Sequence, residues 1–151
     1  MDLLPFQSLD AILRELNADL AGPVGPARAQ ASERAATLFG ASERLIVYGS
    51  LAPGRANYHH VAALGGDWTS GWITGDRVQI GWGTELGYAA VRRRAGGDRI
   101  PAWLLCSAAL LTAWDRLDAF EGAAYQRLLA PFETEAGIVA VGYFYAAAAG
   151  A

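Results

Sequence analysis

At Arg44 the apolar residues change their spacing, and that change most limits what this chain can fold into. Before it, Leu9, Ile12, Leu13, Leu16 and Leu20 recur at the three-and-four spacing of an amphipathic helix, with Ser8 placed to cap it. Gly22-Pro23-Val24-Gly25-Pro26 breaks that helix, and an Ala-rich second helix is expected over Ala27–Phe39, stopping at Gly40. From Arg44 onward the runs are short and β-branched. Leu45-Ile46-Val47-Tyr48 is wholly apolar, the pattern of a strand covered on both faces. Residues 1–42 therefore read as a helical extension and 43–148 as the main domain. The stripe on the first helix can pack on that domain or on a second copy of the chain, as in a homodimer; the pattern fits both.

The remaining strands are expected near 71–73 and 77–80, with Thr74-Gly75-Asp76 as a turn, and near 88–92, 100–106, 126–133 and 138–145. Ser107–Phe120 reads as one helix, capped by Ser107 and ended by Gly122. Short, mostly hairpin-linked strands with one long helix predict an α+β fold: a small, mixed, partly closed β-barrel with peripheral helices, plus the N-terminal helical extension.

Composition excludes several functions. With 151 residues, 53% of them hydrophobic and 18% charged, the chain can fill a core. A net charge of −3 gives no footprint for nucleic acid. All twelve basic residues are Arg, so no Schiff-base or P-loop lysine is available. No apolar run approaches the roughly twenty residues of a membrane span, and no basic n-region with an apolar stretch marks a signal peptide. The single cysteine, Cys106, cannot form an internal disulfide, which fits a cytoplasmic protein. His59 and His60 lack accompanying ligands, so no metal site is expected.

Two features carry chemistry. The first is Glu121. Leu110, Trp114 and Leu117 face the core at helical spacing, and Glu121 is the next residue on that stripe, at the negative end of the helix dipole. Burial and the dipole both disfavour the carboxylate, so a raised pKa is expected, as general acid–base catalysis requires. A partly exposed helix-end glutamate is the plainer alternative. The second is the turn Tyr48-Gly49-Ser50-Leu51 directly after an apolar strand. A glycine at positive φ there lets successive backbone N–H groups converge on an anion, and Ser50 adds a hydroxyl. The sequence around Ser50 is not a nucleophile elbow, and no dinucleotide or P-loop pattern follows. Asp118, one helical turn before Glu121, could raise the Glu121 pKa or pair locally, and Arg127 could pair with either carboxylate. Trp82 is a candidate pocket wall. Arg92-Arg93-Arg94 reads as a solvated strand end that could attract an acidic substrate.

Taken together, Tyr48-Gly49-Ser50-Leu51, Pro53-Gly54 with Asn57-Tyr58-His59, Gly87-Tyr88-Ala89-Ala90, and Leu117-Asp118-Ala119-Phe120-Glu121-Gly122 with Tyr125 and Arg127 resemble the gamma-glutamylcyclotransferase-like family. The likeness runs over about residues 44–145 and lacks a proline at Ala89. It implies a cofactor-free enzyme acting on a small γ-glutamyl substrate and releasing 5-oxoproline. Glu121 would be the acid–base residue, and Tyr48, Gly49, Ser50, Leu51 and Tyr125 would bind substrate. The alternative is a non-catalytic protein that keeps the pocket to bind a small amino acid or carboxylate.

Overall fold

A computed structural model describes residues 8–49, 53–55, 57–79 and 89–148. Helix α1 (Leu9–Leu20) starts where Ser8 Oγ accepts the Ala11 N–H at 3.1 Å, and it buries Ile12, Leu13, Leu16 and Leu20. Helix α2 (Pro26–Phe39) has proline in its first turn, where no N–H is needed. It turns the small residues Ala31 and Ala35 inward, which lets it lie close to its neighbours. After a 3₁₀ turn at Ala41–Glu43 come β1 (Arg44–Val47), the single-turn α3 (His59–Ala62), β2 (Asp67–Gln79), β3 (Ala89–Arg93) and β4 (Asp98–Cys106). Helix α4 (Trp114–Glu121) then leads into the hairpin β5 (Tyr125–Thr134) and β6 (Gly137–Ala147).

The strands run in the order β3-β2-β4-β1-β6-β5, and β5 returns to pair with β2. Five strands thus close a barrel, and β3 is added outside the ring on β2. The barrel is mixed: β1 runs parallel to β6, with Leu45 opposite Tyr143, while the other pairs are antiparallel. Closure is narrow, resting on Trp72 opposite Glu133. Gly71 makes that approach feasible, since a Cβ there would lie 2.2 Å from the Glu133 carbonyl oxygen.

Two sequence expectations are corrected. The segment 71–80 is not two strands with a turn at Thr74-Gly75-Asp76; β2 runs unbroken through it. Gly75 serves close strand approach instead. It pairs with Arg93 on one side and Asp98 on the other, and a Cβ would sit 2.3 Å from the Arg92 carbonyl oxygen. Ser107–Phe120 is likewise not one helix. Ser107 Oγ caps a 3₁₀ turn, Ala108–Thr112, by accepting the Ala109 N–H, and the α-helix begins only at Trp114. Leu110, Trp114 and Leu117 stay buried across the break, and the Trp114 indole N–H donates to the Ser42 carbonyl at 2.8 Å.

The core has two layers divided by the barrel wall. Inside lie Ile46, Ile73, Ile100, Phe132 and Phe144. Outside, under the helices, lie Leu13, Leu16, Leu45, Leu105, Leu117 and Tyr143. Strand β1 feeds both layers, Ile46 inward and Leu45 and Val47 outward, which is why its sequence is apolar throughout. Helix α1 lies along the seam beside β5. The Asn17 side-chain amide accepts the Leu129 N–H at 2.8 Å and donates to the Leu129 carbonyl at 3.0 Å, taking the place of a neighbouring strand at that edge.

Candidate active site

Glu121 is the last residue of α4. Gly122 follows with φ of 81°, a conformation that favours glycine, and its N–H donates to the Asp118 carbonyl at 3.0 Å. The Tyr125 N–H donates back to the Gly122 carbonyl at 3.2 Å, so the chain turns from α4 straight into β5. Glu121 is half-buried, and burial pushes its carboxyl up from 4.5 to about 7. Its position at the carbonyl end of α4 acts in the same direction. Among the described residues its carboxyl group accepts no hydrogen bond and pairs with no cation.

Asp118, one turn earlier, is fully engaged. Arg127 Nε donates to one of its oxygens at 2.8 Å and a terminal guanidinium nitrogen to the other at 3.2 Å. The Tyr145 hydroxyl donates to it at 2.7 Å. The Arg127 guanidinium lies against two aromatic rings that meet edge to face, 4.5 Å from the Trp114 ring centre and 4.7 Å from that of Tyr143. Arg127 therefore pairs with Asp118 and leaves Glu121 without a cation among the described residues, which resolves the choice that the sequence left open. The two carboxyl groups take different states from different surroundings, one ion-paired and one desolvated.

Three tyrosines gather around this end of the barrel. Tyr125 opens β5 opposite Ala147, and Arg127 lies opposite Tyr145 on the same face. The Tyr48 hydroxyl donates to the Tyr145 carbonyl and accepts the Val91 N–H at 3.2 Å, tying β3 to β6 across strands that do not pair. Burial first, and then the proximity of Tyr125 and Glu121, hold the Tyr48 phenol well above its usual range. The Tyr145 phenol is raised too, by burial and by its bond to Asp118, with Glu121 adding to the effect. Tyr48, singled out from the sequence, thus lies within electrostatic reach of both Tyr125 and Glu121. Tyr145 was missed. Its only signal was that it shares a strand face with Val141 and Tyr143.

The turn after β1 corrects one expectation. Gly49 is exposed, a Cβ there would meet nothing within 4 Å among the described residues, and it is absent from the glycines at positive φ; in this segment Gly54 has that conformation, with φ of 79°. Ser50 and Leu51 lie outside the described residues, as do Trp82, Gly87 and Tyr88. His59 and His60 stack at 4.2 Å between ring centres, and His60 stacks on Phe120 at 4.1 Å. Among the described residues no group of three or more His, Cys, Asp or Glu is placed to hold a metal ion, and no helix is long and apolar enough to cross a membrane.

The model of the family described as gamma-glutamyl cyclotransferase, AIG2-like, matches residues 45–150. The chain belongs to this family. Both chemical motifs and the barrel from its second residue, Leu45, onward fall inside the match, while α1 and α2 precede it. Among solved structures, the chain is similar to YkqA from Bacillus subtilis, with 21% identity and a TM-score of 0.53 over 70% of this chain. That match spans only 35% of YkqA's length, and the likeness is one of fold. The chain is also similar to PH0828 from Pyrococcus horikoshii, at 14% identity and a TM-score of 0.45, over 70% of this chain and 77% of that one. No curated protein matches the chain. The family gives cyclotransferase-like chemistry as its general activity.

Proposed function

We propose that this protein is a γ-glutamyl cyclotransferase that releases 5-oxoproline from a small γ-glutamyl compound, with Glu121 as general acid and base. The observation that carries this reading is the Glu121 carboxyl group, poised at about 7 by burial and left without a cation among the described residues while Arg127 is held by Asp118. Family membership supplies the reaction class.

The reaction is intramolecular. Glu121 takes a proton from the substrate's α-ammonium group. The freed amine attacks the γ-carbonyl carbon, forming the lactam C–N bond, and the original amide C–N bond breaks. Glu121 returns its proton to the departing amine, and the second proton that the attacking nitrogen sheds to become the lactam N–H follows through the same carboxylate, so the amine leaves as an ammonium ion. Nucleophile and electrophile share one molecule, so positioning supplies much of the acceleration. One carboxyl group near neutrality can run both proton transfers in turn. Tyr48 and Tyr125 are proposed to line the substrate site, with the backbone of Gly49, Ser50 and Leu51 holding the α-carboxylate. The Asp118–Arg127 pair acts indirectly: it keeps the guanidinium from Glu121 and fixes Tyr145 as a donor.

The test is 5-oxoproline release from γ-glutamyl dipeptides, γ-glutamyl-ε-lysine, glutathione and γ-glutamyl alkylamines. Turnover of one class names the leaving group; the absence of product from every class contradicts the assignment for these substrates.

A further inference from the structure

A second concave site lies on the opposite face of the β5–β6 hairpin from Glu121. Along this hairpin Tyr125 and Arg127 turn toward α4 with their partners Ala147 and Tyr145, so Leu128 and its partner Phe144 turn the other way. There, between α1 and the end of β3, a groove of about 550 Å³ is lined by the half-buried Leu128, beneath which Phe144 is sealed in the barrel. That volume falls within the range of small-molecule sites.

Its rim is basic. Arg14 comes from α1, and Arg92 and Arg93 come from β3. Arg94 beside them is already neutralised by a two-pronged pair with Asp76 at 2.9 and 2.8 Å. Arg14 and Arg92 are exposed and pair with no carboxylate among the described residues. Arg93 is the anchor. Contrary to a wholly solvated strand end, its side chain is only 16% exposed, and one guanidinium nitrogen binds Asp10 of α1. Its Nε is buried and has no hydrogen-bond partner among the described residues. A buried charged donor without an acceptor is costly, and an anion entering the groove would supply one. Three guanidinium groups against one carboxylate, Asp10, leave the rim net positive.

We propose that this groove binds an organic anion whose phosphate or carboxylate meets Arg93, Arg92 and Arg14 and whose apolar body rests on Leu128. The site is separate from the chemistry at Glu121 and does not depend on it. The sides of the groove come from α1 and the barrel, so occupancy would also strengthen the docking of α1.

The test is an amide NMR titration of the full chain with phenyl phosphate, inorganic phosphate and benzyl alcohol. Phenyl phosphate is expected to shift the amides of 10–17 and 92–94 saturably. It should bind about tenfold more tightly than inorganic phosphate, the size expected for burying part of a ring, and benzyl alcohol should leave these amides unmoved. The Arg14→Gln/Arg92→Gln double variant alters exposed, unpaired side chains and so keeps the fold. It should weaken phenyl phosphate about tenfold or more, while Glu121→Gln leaves the affinity unchanged. The proposal is overturned by the absence of saturable shifts, by equal binding of phenyl phosphate and benzyl alcohol, by equal binding of the two phosphates, by unchanged affinity in the double variant, or by shifts centred on Glu121 and Tyr125.

Discussion

Asp118 and Glu121 stand one turn apart on α4 in opposite electrostatic situations: Arg127 and Tyr145 bind Asp118, and burial lifts Glu121 to about 7. The spacing puts both on one side of the helix, yet a single guanidinium serves only the first. This division keeps one carboxyl group of the pair near neutrality.

Removing the pair should expose its role. Asp118→Asn keeps an acceptor for the Tyr145 hydroxyl but leaves the Arg127 guanidinium uncompensated against two aromatic rings. A loss of about 2 kcal/mol in urea unfolding is expected. Arg127 is also released toward Glu121, so the acidic limb of the activity profile should move to lower pH. A stability loss with an unmoved limb would make the pair purely structural.

Glu121 itself sets a pH dependence of stability. Its folded-state pKa, about 7, lies above the unfolded value of 4.5, so between these values the folded protein holds the extra proton. Glu121 therefore costs the wild type stability progressively as pH rises from 4.5 to 7, and the cost is constant above that range. Glu121→Gln should be more stable than wild type at pH 8, with the gap closing toward pH 4.5 in thermal melts. A gap that does not change with pH would mean that the carboxyl group is not desolvated.

At the seam, Asn17→Ala strands the Leu129 N–H and carbonyl that the side-chain amide now satisfies. A loss of about 2–3 kcal/mol is expected in chemical denaturation, against almost none for exposed Ala18→Ser one residue on. Near-equal values for the two variants would remove α1 from its place as the cover of the β5 edge.

Barrel closure depends on a missing side chain. Gly71→Ala places a methyl group 2.2 Å from the Glu133 carbonyl oxygen and 2.8 Å from the Phe132 ring, beside the Trp72–Glu133 contact that shuts the ring. A loss of about 3 kcal/mol or more, or insoluble expression, is expected. Gly25→Ala, where nothing lies within 4 Å of the new methyl, is the control and should stay near wild type.

Most strands, both N-terminal helices and the barrel were legible in the sequence because burial writes its period into the chain: 3.6 residues along α1, and a continuous apolar run where β1 is covered on both sides. The errors share a cause. Gly75 looks like a turn residue and is instead a place where three strands crowd, and Ser107 looks like the cap of a long helix and instead caps a 3₁₀ turn. Local chemistry is the same in each pair of cases, and only tertiary neighbours choose between them. The same holds at the site. Glu121 announced itself through its place on the Trp114–Leu117 stripe, whereas the link from Tyr145 to Asp118 joins residues 27 apart in the chain and has no local signature. The solvated Arg92-Arg93-Arg94 end failed at Arg93 because its partner, Asp10, lies on α1, 83 residues away.

The central claim is that Glu121 carries the proton. The most direct measurement pairs turnover with binding: 5-oxoproline release by wild type and Glu121→Gln on whichever γ-glutamyl substrate the wild type accepts, alongside calorimetric affinity of each for 5-oxoproline. The account predicts that the variant loses about a hundredfold or more in kcat, the scale of an acid–base group, and keeps the affinity within about threefold. Near-normal turnover by Glu121→Gln would contradict it.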